Sequence, residues 1–323
     1  MRKSTFTRAA ALLIAAGAMT AVAVPAASAA PAPKGKISTK AVKTASTART
    51  MPKVAAQAKT AKAAPQGVIV TPTYALLNPG DSLKPGDSVK VGYSTLTMQT
   101  DGNLVQYLTA DNGKQIQVLW SSKTWGNNGA SAVMQADGNF VIYKQDGVSA
   151  VWSTGTWNKT NAVFVLDGGE LLVGNSNGGT PYWRNDAGFF PDFVNGQYVD
   201  SPADNLKGTG QYGQAIFANN WLESSTTILI QQADGNLVLY RKKDGGVIWA
   251  ANTQGHPGVL TVQDPTGVFG VADDKAAYWT NGTWDNPGAW TRIQSDGNMV
   301  TYRAGSTPTN GSALWSTNTW GKA

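Results

Sequence analysis

The chain has 323 residues, of which 41% are hydrophobic and 14% charged, the latter well under the usual share of about 25%. There is no cysteine and one histidine, His256. Disulfide frameworks, thiolate chemistry, multi-histidine metal centres and His-based triads at more than one site are therefore excluded.

The formal net charge of +6 belongs to the front of the chain. Arg2, Lys3 and Arg8 lie in residues 1–30, and Lys34, Lys36, Lys40, Lys43, Arg49, Lys53, Lys59 and Lys62 in residues 31–66, with no acid in either stretch. Those eleven leave fifteen Lys and Arg against all twenty acids, so residues 67–323 carry −5. A nucleic-acid-binding fold carries positive charge on its own surface, so no nucleic-acid partner is expected.

Residues 1–30 read as a signal peptide: a basic start, an Ala-rich apolar run from Ala9 to Val24, and Ala27-Ser28-Ala29 as a small-residue cleavage pattern. The run is short of the roughly 20 apolar residues that a span requires. A secreted mature chain with no membrane span is expected, with cell-wall association as a further option. Residues 31–66 are Ala, Lys, Thr and Pro without an aromatic. They bury too little apolar area to offset the entropy of ordering, which predicts a disordered basic linker. That linker is a spacer or a tether to an anionic cell-wall polymer.

From residue 67 onward the chain is repetitive. One block recurs four times, as Met98-Gln-Thr-Asp-Gly-Asn-Leu-Val-Gln-Tyr107, Met134-Gln-Ala-Asp-Gly-Asn-Phe-Val-Ile-Tyr143, Gln231-Gln-Ala-Asp-Gly-Asn-Leu-Val-Leu-Tyr240 and Ile293-Gln-Ser-Asp-Gly-Asn-Met-Val-Thr-Tyr302. Each is followed by a Trp block, as in Leu119-Trp-Ser-Ser-Lys-Thr-Trp125. Decayed copies begin at Val165 and Gln263. The units give Trp120, Trp152 and Trp183, then Trp249, Trp279 and Trp315, and the wide gap between Trp183 and Trp249 marks a domain junction. The expected division is 67–187 and 188–323, with 188–207 as connector. Short alternating runs between Gly, Asn and Asp turns predict an all-β fold. The six repeated Trp residues persist in the decayed units and are expected in the core.

In each full copy Gln, Asp, Asn, Val and Tyr stand at i, i+2, i+4, i+6 and i+8. On one straight strand they would share a face, but eight residues at about 3.3 Å each span roughly 26 Å, far more than a sugar ring. Asp-Gly at the centre is a hairpin signal. A bend there would fold Tyr back towards Gln and gather the set into a shallow pocket. Amide, carboxylate and phenol groups supply donors and acceptors, and Val and Tyr an apolar wall. That mixture suits a polyol. It offers no nucleophile and no second carboxylate placed for glycoside cleavage, so no enzyme is expected. Asp273-Asp274 reads as a solvated turn and His256, beside Pro257, as a loop residue.

Gln-x-Asp-x-Asn-x-Val-x-Tyr, repeated with Trp-Ser-Thr-x-Thr, resembles the bulb-type monocot mannose-binding lectins. The opening Asn78-Pro-Gly-Asp-Ser-Leu-Lys-Pro-Gly-Asp-Ser-Val is similar to their N-terminal repeat, and the resemblance spans roughly residues 74–321. It implies two tandem β-prism II domains, each of three four-stranded sheets with pseudo-threefold symmetry. It also implies recognition of mannose or mannose-rich glycans without metal or other cofactor. Carried over, Gln99, Asp101, Asn103 and Tyr107 would bond ring hydroxyls with Val105 against the ring carbons. The same roles fall on Gln135, Asp137, Asn139, Val141 and Tyr143; on Gln232, Asp234, Asn236, Val238 and Tyr240; and on Gln294, Asp296, Asn298, Val300 and Tyr302. Two sites should be dead: one keeps only Asp167, with Val165 in the Gln place, and the other only Gln263. The family's usual disulfide cannot form here. Tyr198 to Trp221 match the family's opening strand poorly, so strand exchange or an insertion is expected to close the second domain. A lectin-like bacteriocin and an envelope-associated adhesin are the alternative readings.

Overall fold

The computed structural model describes residues 49–52, 67–195 and 197–323. The expected signal segment, and the basic linker apart from residues 49–52, lie outside them. Among the described residues every regular element is a strand. The strand Ser94–Met98 shows why. Ser94, Leu96 and Met98 are buried while Thr95 and Thr97 face outward, and β-branched residues suit the half-exposed pleat.

Three antiparallel sheets form an N-terminal prism. The first contains Ser88–Val91, Ser94–Met98, Leu104–Thr109 and Gln115–Ser121; the second contains Ser82–Leu83, Ser131–Met134, Phe140–Tyr143 and Ala150–Ser153. The third contains Tyr74–Leu77, Ala162–Asp167, Glu170–Asn175 and Trp183–Arg184, with Ile69–Val70 as a fifth strand.

The C-terminal prism repeats the plan. Its first sheet contains Asn220–Glu223, Thr227–Gln231, Leu237–Arg241 and Val247–Ala250, its second Gln214–Ile216, Leu260–Gln263, Phe269–Ala272 and Ala277–Thr280, and its third Asn205–Lys207, Trp290–Ile293, Met299–Tyr302 and Ala313–Ser316. Gly188–Phe189 adds a parallel fifth strand to the first of these sheets. Two of the six sheets are thus five-stranded rather than four-stranded, because a short segment preceding each prism's closing strands pairs onto an otherwise open edge.

Each prism is closed by three short strands that precede its hairpins and run through the sheets in reverse order. Tyr74–Leu77 joins the third sheet, Ser82–Leu83 the second and Ser88–Val91 the first. In the second prism Asn205–Lys207, Gln214–Ile216 and Asn220–Glu223 do the same. The three closing strands of the second prism come from the segment just before its own hairpins. The poor match before Trp221 is an insertion: the hairpin of Pro191–Val194 and Gln197–Pro202.

The first core gathers Leu83, Leu96, Met98, Leu104, Met134, Phe140, Phe164 and Leu171 around the axis. Trp120, Trp152 and Trp183 meet pairwise edge to face at 5.3–5.8 Å. Trp249, Trp279 and Trp315 form the same triad at 5.1–6.3 Å. Of these six, Trp249 is buried and the others are half-buried, packed against their cores. The triads therefore close the cores rather than lying wholly inside them.

The prisms share a third apolar cluster. Leu108, Ala110, Ile116 and Leu119 of the first meet Trp221, Ile228, Ile230, Val238 and Tyr240 of the second. Around it, Gln117 donates to Asn219 Oδ1 (2.8 Å), Asn219 donates to the Leu119 carbonyl (2.9 Å), and the Lys242 ammonium lies 4.3 Å from the Tyr93 ring.

Candidate functional site

The chain does turn at Asp-Gly. The Gln99 N–H donates to the Asn103 carbonyl and the Gly102 N–H to the Gln99 carbonyl, and Gly102 takes φ +90°. Gly138, Gly235 and Gly297 take φ +92°, +98° and +93° in the other copies, a region that costs glycine nothing. Gln and Tyr, eight residues apart, are brought into contact. Gln99 Nε2 donates to Tyr107 Oη at 2.7 Å, Gln135 to Tyr143 at 2.8 Å, Gln232 to Tyr240 at 3.1 Å and Gln294 to Tyr302 at 2.8 Å. The five alternate side chains thus form one cup, four times over.

Internal hydrogen bonds decide which atoms face a ligand. Asp101 Oδ1 accepts the Asn103 N–H at 2.9 Å, and Asp137, Asp234 and Asp296 repeat this bond. Asn103 Oδ1 accepts the Thr124 N–H and the Ser121 and Ser122 hydroxyls, each at 3.1 Å. A backbone donor at that oxygen fixes the amide's orientation. Within the described residues each cup therefore leaves the Asp Oδ2 and Gln Oε1 acceptors, the Asn Nδ2 donor and the Tyr hydroxyl proton unpaired. Burial raises the pKa of Tyr107, Tyr240 and Tyr302, which keeps their hydroxyl protons in place. The Val members, at 4% exposure or less, line the same face.

The supporting Thr was not assigned a role from the sequence. Thr124, Thr156, Thr253 and Thr319 donate to the carbonyls of the turn glycines at 2.7–2.8 Å, and their N–H groups bond the cup Asn. Its fixed place in the Trp block was the available signal. In three cups a hydroxyl from Ser122, Thr154 or Thr317 also reaches the Asn Oδ1. Ala251 stands at that place in the cup of Asn236, which keeps the Thr253 N–H alone. That cup also borders the junction: its Val238 and Tyr240 belong to the apolar cluster shared by both prisms.

The two decayed sites lack the cup, but the strand register corrects the residues assigned to them. In the first prism Leu166 pairs Leu171 and Trp183 pairs Val173, where Met98 pairs Leu104 and Trp120 pairs Gln106. This puts Asp167 in the Gln place, Glu170 in the Asn place and Gly174 in the Tyr place, across a loop one residue shorter. In the second prism the Asp264 N–H bonds the Val268 carbonyl, so Asp264 holds the Gln place. Gln263 is buried one position earlier, accepting from Thr291 at 2.6 Å. Matching letters placed it in the site; the hydrogen-bond register places it in the interior.

The decayed site of the first prism is filled by the chain itself. Met51 is 3% exposed and packs with Leu76, Val163, Val165 and Leu172. A Cβ on Gly174 would lie 2.5 Å from its Cγ. Arg49 pairs with Asp200, lies 3.9 Å from Asp167 and covers the Phe189 ring at 4.0 Å. The expectation of a structureless linker does not extend to these residues.

Two prisms of three sheets about a Trp-closed axis, carrying four Gln-Asp-Asn-Val-Tyr cups, define a β-prism II protein of the lectin class. No family model matches the chain. Mannose-specific lectin 2 of Colocasia esculenta is 30% identical over 270 residues, covering 79% of this chain and 88% of that protein. Mannose-specific lectin 1 of Remusatia vivipara is 30% identical over 254 residues, covering 74% and 87%. Among solved structures, the two-domain fetuin-binding lectin of Scilla campanulata matches 74% of this chain and 94% of its own at 26% identity, with a TM-score of 0.29. The snowdrop (Galanthus nivalis) agglutinin, complexed with methyl α-D-mannoside, matches 33% and 92% at 26% identity and 0.27. The chain belongs to the family of bulb-type, mannose-specific lectins known from monocots.

Proposed function

We propose that the chain is a secreted, metal-independent lectin that binds mannose or mannose-containing glycans through four cups on two domains, 67–187 and 188–323. The observation that carries this reading is the common set of unpaired groups in the four Gln-Asp-Asn-Val-Tyr cups. Two acceptors, an amide donor and a phenol proton surround a small apolar wall, so a sugar's hydroxyls and its C–H face are both met. No step of that recognition requires a cation. The basic front end supports secretion and a wall-polymer contact. One cup gives weak binding, near millimolar, or about −4 kcal/mol, and several engaged together gain by avidity.

Calorimetric titration of the mature chain with methyl α-D-mannoside and with mannan, each with and without EDTA, tests the proposal. Binding of both, tighter for the polymer and indifferent to EDTA, is the expected result. No heat with either ligand would overturn it.

A further inference from the structure

The four cups share their own residues but differ in what stands beside them. Across the strand pair, Tyr107 faces Thr95, Tyr143 faces Ser131, Tyr240 faces Ile228 and Tyr302 faces Trp290. Opposite the cup Val, the residues are Thr97, Val133, Ile230 and Arg292. Ile228 and Ile230 are buried in the cluster between the prisms. At these two cross-strand positions, only the fourth cup has an aromatic ring and a cation.

These two side chains line a groove of about 780 Å³, within the roughly 300–1,000 Å³ of small-ligand clefts. The Trp290 ring is stacked on Tyr302, with centroids 5.1 Å apart and 29° between planes. Cup and groove therefore meet at a common wall. Arg292 is fixed by Asp204, with Nε to Oδ2 at 2.8 Å and Nη2 to Oδ2 at 2.7 Å. Asn205 and Lys207, on the edge strand paired to Arg292 and Trp290, also line the groove. The far wall is tied to the cup's own turn: Ser225 donates to Ser295 Oγ at 2.7 Å and Thr226 to the Ser295 carbonyl at 2.6 Å.

We propose that the fourth cup is the head of an extended subsite in which the next rings of a neutral oligosaccharide lie along Trp290 and Arg292. This rests on the sugar-binding reading of the cup. An indole offers the apolar face that a pyranose C–H surface needs, and the Arg292–Asp204 pair presents donors and acceptors at fixed positions. The groove's acids Asp192, Asp204 and Glu223 are set against Lys207 and Arg292, with Glu223 already paired to Lys242 at 2.8 Å. That near balance favours a neutral chain over a polyanion.

The test uses the full mature chain with the other cups disabled by Asp101→Ala, Asp137→Ala and Asp234→Ala. Methyl α-D-mannoside and linear mannotriose are titrated by calorimetry. The trisaccharide should bind about tenfold more tightly than the monosaccharide. Trp290→Ala should abolish that margin, read as the ratio of the two affinities so that any loosening of the stacked Tyr302 weighs on both sugars alike. Arg292→Met, which leaves the Trp290–Tyr302 stack intact, should reduce the margin. Equal affinity for the two sugars, or a margin that survives both substitutions, would overturn the subsite alone. Absence of monosaccharide binding by the unsubstituted chain would instead overturn the sugar-binding reading beneath it.

Discussion

Under the proposed function, each cup Asn has two jobs for its two amide atoms. Asn103 Oδ1 holds the Thr124 N–H and two hydroxyls, while Nδ2 remains for a ligand. Asn103→Ala therefore leaves a buried N–H unsatisfied, a cost of about 1–3 kcal/mol, and confuses lost folding with lost binding. Tyr107→Phe separates the two. It removes the proton that a sugar oxygen would accept, and Gln99, half-exposed, can rebond to water. Tyr107→Phe combined with Tyr143→Phe should leave the melting temperature nearly unchanged. Each cup should lose about 1 kcal/mol, the contribution of one hydrogen bond, which is roughly a fivefold fall in affinity for methyl α-D-mannoside by calorimetry. Unchanged affinity would remove the phenols from the site.

At the level of the hairpin, the turn glycine is held by more than its φ. A Cβ on Gly102 would lie 2.1 Å from the Asn127 carbonyl oxygen, and one on Gly138 2.3 Å from that of Lys159. Both obstacles are backbone, and they belong to the loop that follows the supporting Thr. Gly102→Ala should thus cost at least about 2 kcal/mol through φ strain and displacement of that loop, read as a fall in thermal midpoint. Gly113→Ala is the control, with a positive φ but open space, and should cost less. The bend and its glycine were legible in the sequence because Asp-Gly is a local signal that needs no partner. Register was not: Gln263 matched by letter, yet its place is set by pairing to Phe269, which only the folded sheet defines. The capping of the decayed site was hidden for a similar reason. Met51 lies in an Ala/Lys tract with no strand pattern, and its burial depends on the space above Gly174.

Across the whole molecule, the two prisms are joined by an apolar cluster, by Arg49, and near it by two buried carboxylates. Asp167 and Glu170 are 5% and 2% exposed. Burial pushes Asp167 up to about 6, with Arg49 pulling it back, and Glu170 up to about 7, with Arg184 opposing. Arg184 Nε is 2.8 Å from Glu170 Oε1, close enough for an ion pair but off the hydrogen-bond direction, so that oxygen stays unsatisfied. The sign follows from proton binding. Both folded-state values exceed the unfolded ones of 3.8 and 4.5, so the folded chain binds protons more tightly. The contribution is most favourable below pH 4 and is lost as pH rises through about 6 and 7. A carboxyl raised from 3.8 to about 6 corresponds to roughly 3 kcal/mol at full ionisation. Asp167→Asn with Glu170→Gln should therefore raise the thermal midpoint relative to the parent at pH 8 and lose most of that advantage at pH 4. Arg49→Ala should act oppositely at pH 8, since it removes the cation that offsets Asp167 and frees Asp200. Differential scanning calorimetry of the three chains across this range measures the coupling directly, and parallel curves at every pH would show that the carboxylates titrate as they do in the unfolded chain.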